Sequence, residues 1–253
     1  MRMRNRMQPS PERYRNEWKY LINEREKDFM VRRMEGLLHL DPHAKGGGYL
    51  IRSLYFDDCW DSAYAEKDAG VMNRKKYRVR IYNYQDGSIK LERKKKSGSY
   101  IYKEAASLTR DELERLLAGD YGFLLTHKSS LCREMYVECV SNMMRPRVIV
   151  DYDREPWILD AGTVRLTFDM NVRAAVGGYD IFDATLPTLP CLEEGKLVLE
   201  VKFTEFLPRP VQEILPRHAA DFTAVSKYVL CRDRVRYMQG FDYWFDGIGG
   251  MGR

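Results

Sequence analysis

The chain has 253 residues and a formal net charge of +5, with 42 Lys and Arg against 37 Asp and Glu. That near balance excludes a protein that coats nucleic acid by bulk charge, so any strong field has to be local. Hydrophobic residues make up 44% of the chain, enough for a core, yet no apolar run reaches the roughly 20 residues of a membrane-spanning helix.

In chain order, Met1–Met7 is basic and no apolar stretch follows it, so no signal peptide is expected. Residues 1–10 are read as a basic disordered tail. Period-two alternation then predicts a strand over Arg13–Ile22. A helix is expected over Asn23–Leu38, with Phe29, Met30, Met34, Leu37 and Leu38 as its apolar residues. Lys45–Gly48 reads as a loop. Strands are expected over Leu50–Asp57, Tyr77–Tyr82, Ile89–Lys96 and Tyr100–Ala105. Thr109-Arg-Asp-Glu112 has the form of a capping box and opens a helix to Leu117. A longer helix is expected over Gly122–Met144. Strands follow over Arg147–Arg154, Val164–Arg173 and Leu197–Thr204, with a loop at Gly177–Leu189. Short helices are expected over Pro210–Leu215 and Ala219–Cys231, and Gly247–Arg253 reads as a flexible tail. No repeat and no linker divides the chain, so residues 11–246 are expected to form a single domain.

The polar face of these strands is unusual. Successive side chains of a strand point to opposite faces. Tyr77, Val79 and Ile81 therefore oppose Arg78, Arg80 and Tyr82. Ile89, Leu91 and Arg93 oppose Lys90, Glu92 and Lys94. Val164, Leu166 and Phe168 oppose Arg165, Thr167 and Asp169. Leu199, Val201 and Phe203 oppose Glu200 and Lys202, and Trp18 and Tyr20 oppose Arg15, Glu17 and Lys19. The default for such a pattern is an open sheet with one solvated face. Here the polar face carries mostly cations, and several helices are available to cover the apolar one. The expected fold is therefore α+β, an eight-stranded antiparallel β-barrel with helices packed outside and the charges lining a tunnel. Burying so many cations needs counter-charge, which a polyanion in a wet tunnel supplies. Glu17, Glu92 and Glu200 are too few to neutralise them and suit a divalent metal that bridges to phosphate oxygens. The run Arg93–Lys96 splits by alternation, with Lys94 and Lys96 inward and Arg93 and Lys95 outward. The acidic cluster Asp57, Asp58 and Asp61 is read as loop capping rather than a metal site.

Eight short motifs occur in order: Glu17-Trp-Lys19, Ser53-Leu-Tyr-Phe-Asp57, Tyr77-Arg-Val-Arg80, Leu91-Glu-Arg-Lys94, Tyr152-Asp-Arg154, Val164-Arg-Leu-Thr-Phe-Asp169, Leu199-Glu-Val-Lys202 and Ser226-Lys-Tyr228. Together they resemble the catalytic domain of the VTC polyphosphate polymerases, within the triphosphate tunnel metalloenzyme superfamily. The resemblance implies a metal-dependent phosphotransferase that moves the ATP γ-phosphate onto a growing polyphosphate chain. It implies catalytic roles for Lys19, Arg78, Arg80, Lys94, Arg165 and Lys227, with Lys103, Arg154 and Lys202 as further phosphate-binding residues. Glu200 is implied as the principal metal ligand, with Glu17 and Glu92 beside it, for Mn2+ or Mg2+. ATP and inorganic polyphosphate are the implied partners, with no nucleic acid. The form resembled is a stand-alone prokaryotic one, cytoplasmic and peripheral to a membrane only through a separately encoded membrane-protein partner.

One departure is informative. Tunnel triphosphatases begin with ExExK, whereas this chain reads Arg15-Asn-Glu17-Trp-Lys19, with Arg15 in the place of the first acid. A metal-binding carboxylate is missing there, which favours the polymerase branch. The rivals are a metal-dependent triphosphatase acting on tripolyphosphate, thiamine triphosphate or an RNA 5′ end, and a non-catalytic polyphosphate-binding module. The chain has no GxxxxGKS/T loop, so ATP is expected to be held through its phosphates alone. Cys59, Cys132, Cys139, Cys191 and Cys231 form no CxxC pair, which points to reduced thiols.

Overall fold

All eight predicted strands form, and each runs a little beyond its expected ends. In chain order the elements are β1 (Arg15–Asn23), α1 (Glu24–Met34), β2 (His39–Leu40), β3 (Tyr49–Asp57), α2 (Ser62–Asp68), β4 (Arg74–Tyr82), β5 (Gln85–Ser97), β6 (Tyr100–Leu108), α3 (Arg110–Leu117), α4 (Gly122–Thr126), α5 (Ser130–Ser141), β7 (Arg145–Leu159), β8 (Val164–Ala175), β9 (Thr188–Pro190), β10 (Lys196–Thr204), α6 (Arg209–Ile214) and α7 (Lys227–Arg236). This is a computed structural model, and it describes residues 15–98, 100–204, 206–216 and 225–236. The expected tails at 1–10 and 247–253, the strand start at Arg13, and residues 219–224 of the last expected helix lie outside the described residues.

The strands pair antiparallel in the order β1-β10-β8-β7-β3-β4-β5-β6, with β2 added to β7 and β9 to β8. Register shifts at Tyr55/Phe56, Arg80/Tyr82 and Asp151/Asp153 bend the sheet into a deep curl. The last of these coincides with Asn171, whose φ of 51° lies in the left-handed region. The expected closed barrel is corrected here. Among the described residues β1 and β6 are edges that share no ladder. Across the opening between them, the ammonium of Lys94 on β5 reaches Glu17 on β1 at 2.5 Å.

The convex face is the expected apolar one. Tyr77, Val79, Ile81, Ile89 and Leu91 pack under Leu113, Leu116, Phe123, Leu131 and Met135 of α3, α4 and α5. Tyr20, Ile22, Leu166, Phe168, Leu199 and Val201 pack under Met30 and Met34 of α1 and Val211 of α6. Asn23 and Thr109 both close capping boxes, with Glu26 and Glu112, and so start α1 and α3.

Three expectations about helices are revised. The helix expected over Gly122–Met144 is broken at His127, whose backbone is extended. The His127 ring there accepts the Ser129 N–H at Nδ1 and bonds the Ser107 carbonyl through Nε2. Side-chain bonding to nearby backbone at that point outcompetes the helix ladder. Helix α2 was not expected. It starts where the Asp57 carboxylate accepts the N–H groups of Ala63 and Tyr64, while Asp58 accepts those of Trp60 and Ser62. Asp57 and Asp58 are caps, as expected, whereas the Asp61 side chain makes no cap bond and pairs with Arg232 at 2.9 Å. Finally, α7 does not lie outside. Its Tyr228, Cys231 and Val235 pack on the concave side against Ile51, Tyr55, Val148, Val150, Tyr152, Val172 and Ala174. Among the described residues no helix is long and apolar enough to cross a membrane.

Candidate functional site

The charged residues of the strands converge on the concave side because alternation puts them there and the curl brings distant strands together. Glu200 is the focus. The β1–β10 ladder sets Lys19 opposite Glu200 and Glu17 opposite Lys202. One Glu200 oxygen accepts from Lys227 at 2.9 Å and lies 3.2 Å from the Lys19 ammonium. The other accepts from Lys202 at 2.8 Å and lies 3.5 Å from the Arg154 guanidinium. Burial by itself raises the pKa of such a carboxyl. Lys19, Lys202, Lys227 and Arg154 overcome that and hold Glu200 well below the usual range. Burial pushes the Lys202 ammonium down to about 8, against the opposing pull of Glu200.

Lys227 is delivered by the first turn of α7. It bridges Glu200 to Asp169 at 2.5 Å and stands 4.9 Å over the Tyr152 ring. Arg154 grips Asp169 through two donors, at 2.6 and 2.7 Å. Asp169 is completely buried. Sequence reading put it on the charged face but assigned it no role. The signal available was its shared parity with Arg165 and Thr167. Tyr55 and Tyr152 were also missed, because a tyrosine on a strand reads as core.

Across the groove, Glu92 takes the place that Glu200 has on the near wall. It accepts from Arg78 at 2.8 Å, pairs with Lys103 at 2.6 Å and lies 3.9 Å from Arg80. Arg78 also donates to the Tyr55 hydroxyl at 2.8 Å, and Arg80 donates to the Tyr152 hydroxyl at 3.3 Å. Burial raises the Glu92 carboxyl, but Arg78, Arg80 and Lys103 bring it down to about 2. Glu17 is likewise brought down to about 2, by Lys19 and Lys94, against burial. Arg165 donates to Asp41 at 2.9 Å and to Tyr49 at 3.1 Å. Lys19, Arg78, Arg80, Lys94, Lys103, Arg154, Arg165, Lys202, Lys227 and the three glutamates therefore all face the concave side. By contrast, Arg93 turns outward to Glu104 and Glu134.

The expected three-glutamate ligand set is revised. Among the described residues no three carboxylate, His or Cys side chains come together to hold a metal. Glu92 stands on the opposite wall with its own cations, because β5 is far from β10 along the sheet. Glu17 and Glu200 do converge, sharing the Lys19 ammonium at 3.5 and 3.2 Å. Beside them on β8, Thr167 is the ladder partner of Glu200. The Thr167 hydroxyl and Arg165 Nε are buried without a hydrogen-bond partner among the described residues. Two carboxylates and an unsatisfied hydroxyl suit a hard divalent cation that completes its shell with phosphate oxygens rather than with a protein cage.

HpAC1 from Hippeastrum, for which a dominant triphosphatase activity is described, superposes with a TM-score of 0.50 at 12% identity, covering 88% of this chain and 96% of its own. PH1012 from Pyrococcus horikoshii superposes with a TM-score of 0.47 at 14% identity, covering 86% of this chain and 99% of its own. At such identities the likeness is one of fold. None of the curated proteins matches the chain. The family model described as the VTC domain matches residues 14–235, which takes in every inward-facing residue described above. The charged concave wall therefore belongs to a member of the VTC domain family.

Proposed function

We propose that the protein transfers the γ-phosphate of ATP to the end of a polyphosphate chain held in the basic groove. The observation that carries this reading is the state of the interior carboxylates. Glu17 and Glu92 are brought down to about 2, and Asp169 and Glu200 are held below their ordinary range. A carboxylate so acidic is a poor base for drawing a proton from water. Transfer to a chain end needs no such base, because the acceptor phosphate is already an anion. The replacement of the first ExExK acid by Arg15 points the same way.

Phosphoryl transfer depends on positioning and charge stabilisation more than on covalent chemistry. In this reading Arg78 and Arg80 grip non-bridging oxygens through paired donors, and Lys19, Lys94, Arg165 and Lys227 neutralise the charge that spreads over the transferred group. Lys103, paired with Glu92, and Lys202, paired with Glu200, hold neighbouring phosphates. Arg154, with two donors committed to Asp169, acts chiefly as a positioning residue for Glu200. A divalent cation, held by Glu200 and Glu17, would supply charge neutralisation between phosphate oxygens. The nucleotide is recognised through its phosphates.

The rival reading is hydrolysis of a triphosphate. It draws on Lys202, whose amine burial brings down to about 8, within range of taking a proton from water. Incubation of purified protein with ATP and Mn2+ or Mg2+ separates the two. Acid-insoluble polymer is the expected product. Orthophosphate and ADP without polymer would establish the hydrolase instead.

A further inference from the structure

We propose that the outer ends of β4 and β5, with α2 beside them, form a second anion subsite that holds the distal part of a linear polyphosphate chain. The inference rests on the reading that the groove takes polyphosphate, and it distinguishes a long chain from a triphosphate.

The inward parity of Arg78, Arg80 and Glu92 continues outward along both strands. The ladder sets Lys76 opposite Lys94, and Arg74 opposite Lys96. Lys94 in turn faces Lys103 on β6. Like charges directly opposite one another are destabilising. The adjoining row, Arg78 against Glu92, shows the ordinary arrangement of opposite signs. Glu17 offsets Lys94 and Glu92 offsets Lys103, but Lys76 and the Arg74–Lys96 row have no such ion pair among the described residues, so their repulsion costs stability unless an anion lies along them. At about 3.4 Å per residue, these two rows extend the basic lining by about 14 Å beyond Arg78.

The cations of this apron lack carboxylate partners. Lys67, Arg74, Lys76 and Lys96 form no ion pair among the described residues; Arg74 donates to the Val71 carbonyl instead. Lys76 donates to the Ser226 hydroxyl at 3.2 Å and stands 4.8 Å over the Tyr228 ring. Burial first, then Lys67, Arg74 and Lys19, push its amine down to about 7, with Asp57 a minor opposing influence. Lys67, on α2, is lowered by burial and by Arg74, Lys19 and Lys96, with Asp68 opposing. The four residues thus sit within electrostatic reach of one another and of Lys19 in the central site. A polyanion running outward from the Glu200 region along β4 and β5 relieves this repulsion. A tripolyphosphate seated at Arg78, Arg80 and Lys227 ends near Lys76, which bonds Ser226 beside Lys227, and falls short of the Arg74–Lys96 row.

The experiment compares tripolyphosphate with long-chain polyphosphate, measured as binding without ATP or metal. Wild-type protein is expected to bind the long chain more tightly. In the double variant Arg74→Gln, Lys96→Gln, long-chain affinity should fall on the order of tenfold. The slope of log affinity against log salt should fall by about 1.4, at roughly 0.7 per lost charge. Tripolyphosphate affinity should hold, and Arg74→Lys with Lys96→Arg should keep the long-chain preference. Equal losses for both ligands, or no loss for either, overturn the subsite. If the double variant lacks a cooperative melt, Lys96→Gln alone carries the test, with a slope change of about 0.7 expected and no change overturning it. Absence of polymer synthesis from ATP refutes the transferase reading and leaves this binding result standing. A wild-type protein with no preference for the long chain refutes the subsite and leaves the synthesis assay to judge the transferase.

Discussion

Glu200 holds one negative charge among Lys19, Lys202, Lys227 and Arg154, all within 3.5 Å. Glu200→Gln keeps the shape and removes the charge. Turnover with ATP should fall by at least a hundredfold, the scale of losing a preorganised electrostatic group. Metal-free tripolyphosphate should bind as well or better, since one repulsive charge is gone. The unliganded variant should melt lower, because Lys19, Lys227 and Arg154 lose a shared counter-ion and Lys202 its only ion pair among the described residues, and added tripolyphosphate should restore the melt. A variant with normal turnover and a collapsed melt would reduce Glu200 to a structural ion-pair partner. At the same scale, Arg78→Ala with Arg80→Ala should weaken tripolyphosphate binding and lower its salt dependence. An unchanged affinity there would place the anion site elsewhere.

Among the elements, α7 has the least obvious role in the sequence. The Tyr228 hydroxyl donates to Asp57 at 2.6 Å, Tyr55 stacks on the Tyr228 ring at 5.1 Å, and Arg232 donates to Asp61 at 2.9 Å. These contacts fix the helix that carries Lys227 to Glu200 and Asp169. Tyr228→Phe removes one hydrogen bond and should cost about 1 kcal/mol. If α7 positions Lys227, it should also lower kcat and weaken tripolyphosphate binding. A useful contrast is Thr109→Ala at the start of α3, which removes a cap on the convex side. It should cost a similar ~1 kcal/mol and leave ligand affinity unchanged. Denaturant midpoints alongside ligand titrations separate the two. If both variants affect affinity alike, α7 has no special coupling to the site. Alternation made the eight long strands legible before the structure, apolar spacing located α1, and the Thr109 capping box located α3. The three-residue β9, the two-residue β2 and α2 were not legible. Their sequences are too short for a period, and α2 is started by Asp57, a carboxylate that belongs to the preceding strand.

For the whole molecule, the curl is held partly by charge. Glu17 ties β1 to Lys94 on β5, and Glu92 ties β4 and β5 to Lys103 on β6. Both glutamates are brought down to about 2 in the fold, from an ordinary 4.5. Between these values the unfolded chain binds more protons than the folded one, so stability rises with pH there. It is fully present above about 4.5 and lost as pH falls towards about 2. The protein should therefore unfold in that acid window, and Glu17→Gln with Glu92→Gln should flatten the pH dependence of the denaturant midpoint across it. An unaltered profile would mean that the curl is not held by these pairs. Polyanion at a hundred times its dissociation constant should add about 2.7 kcal/mol of stability. The sequence by itself determined the long strands, the faces their side chains take and the sign of the charge on each face, because all three follow from period-two geometry and local composition. Only the tertiary structure decided that β1 is tied to β5 through Glu17 and Lys94 while β1 and β6 share no ladder, that Glu92 sits with its own cations apart from Glu200, and that α7 enters the groove with Lys227. Those outcomes depend on how far the sheet curls and on where a helix distant in sequence packs, and these are set by contacts between residues far apart in the chain.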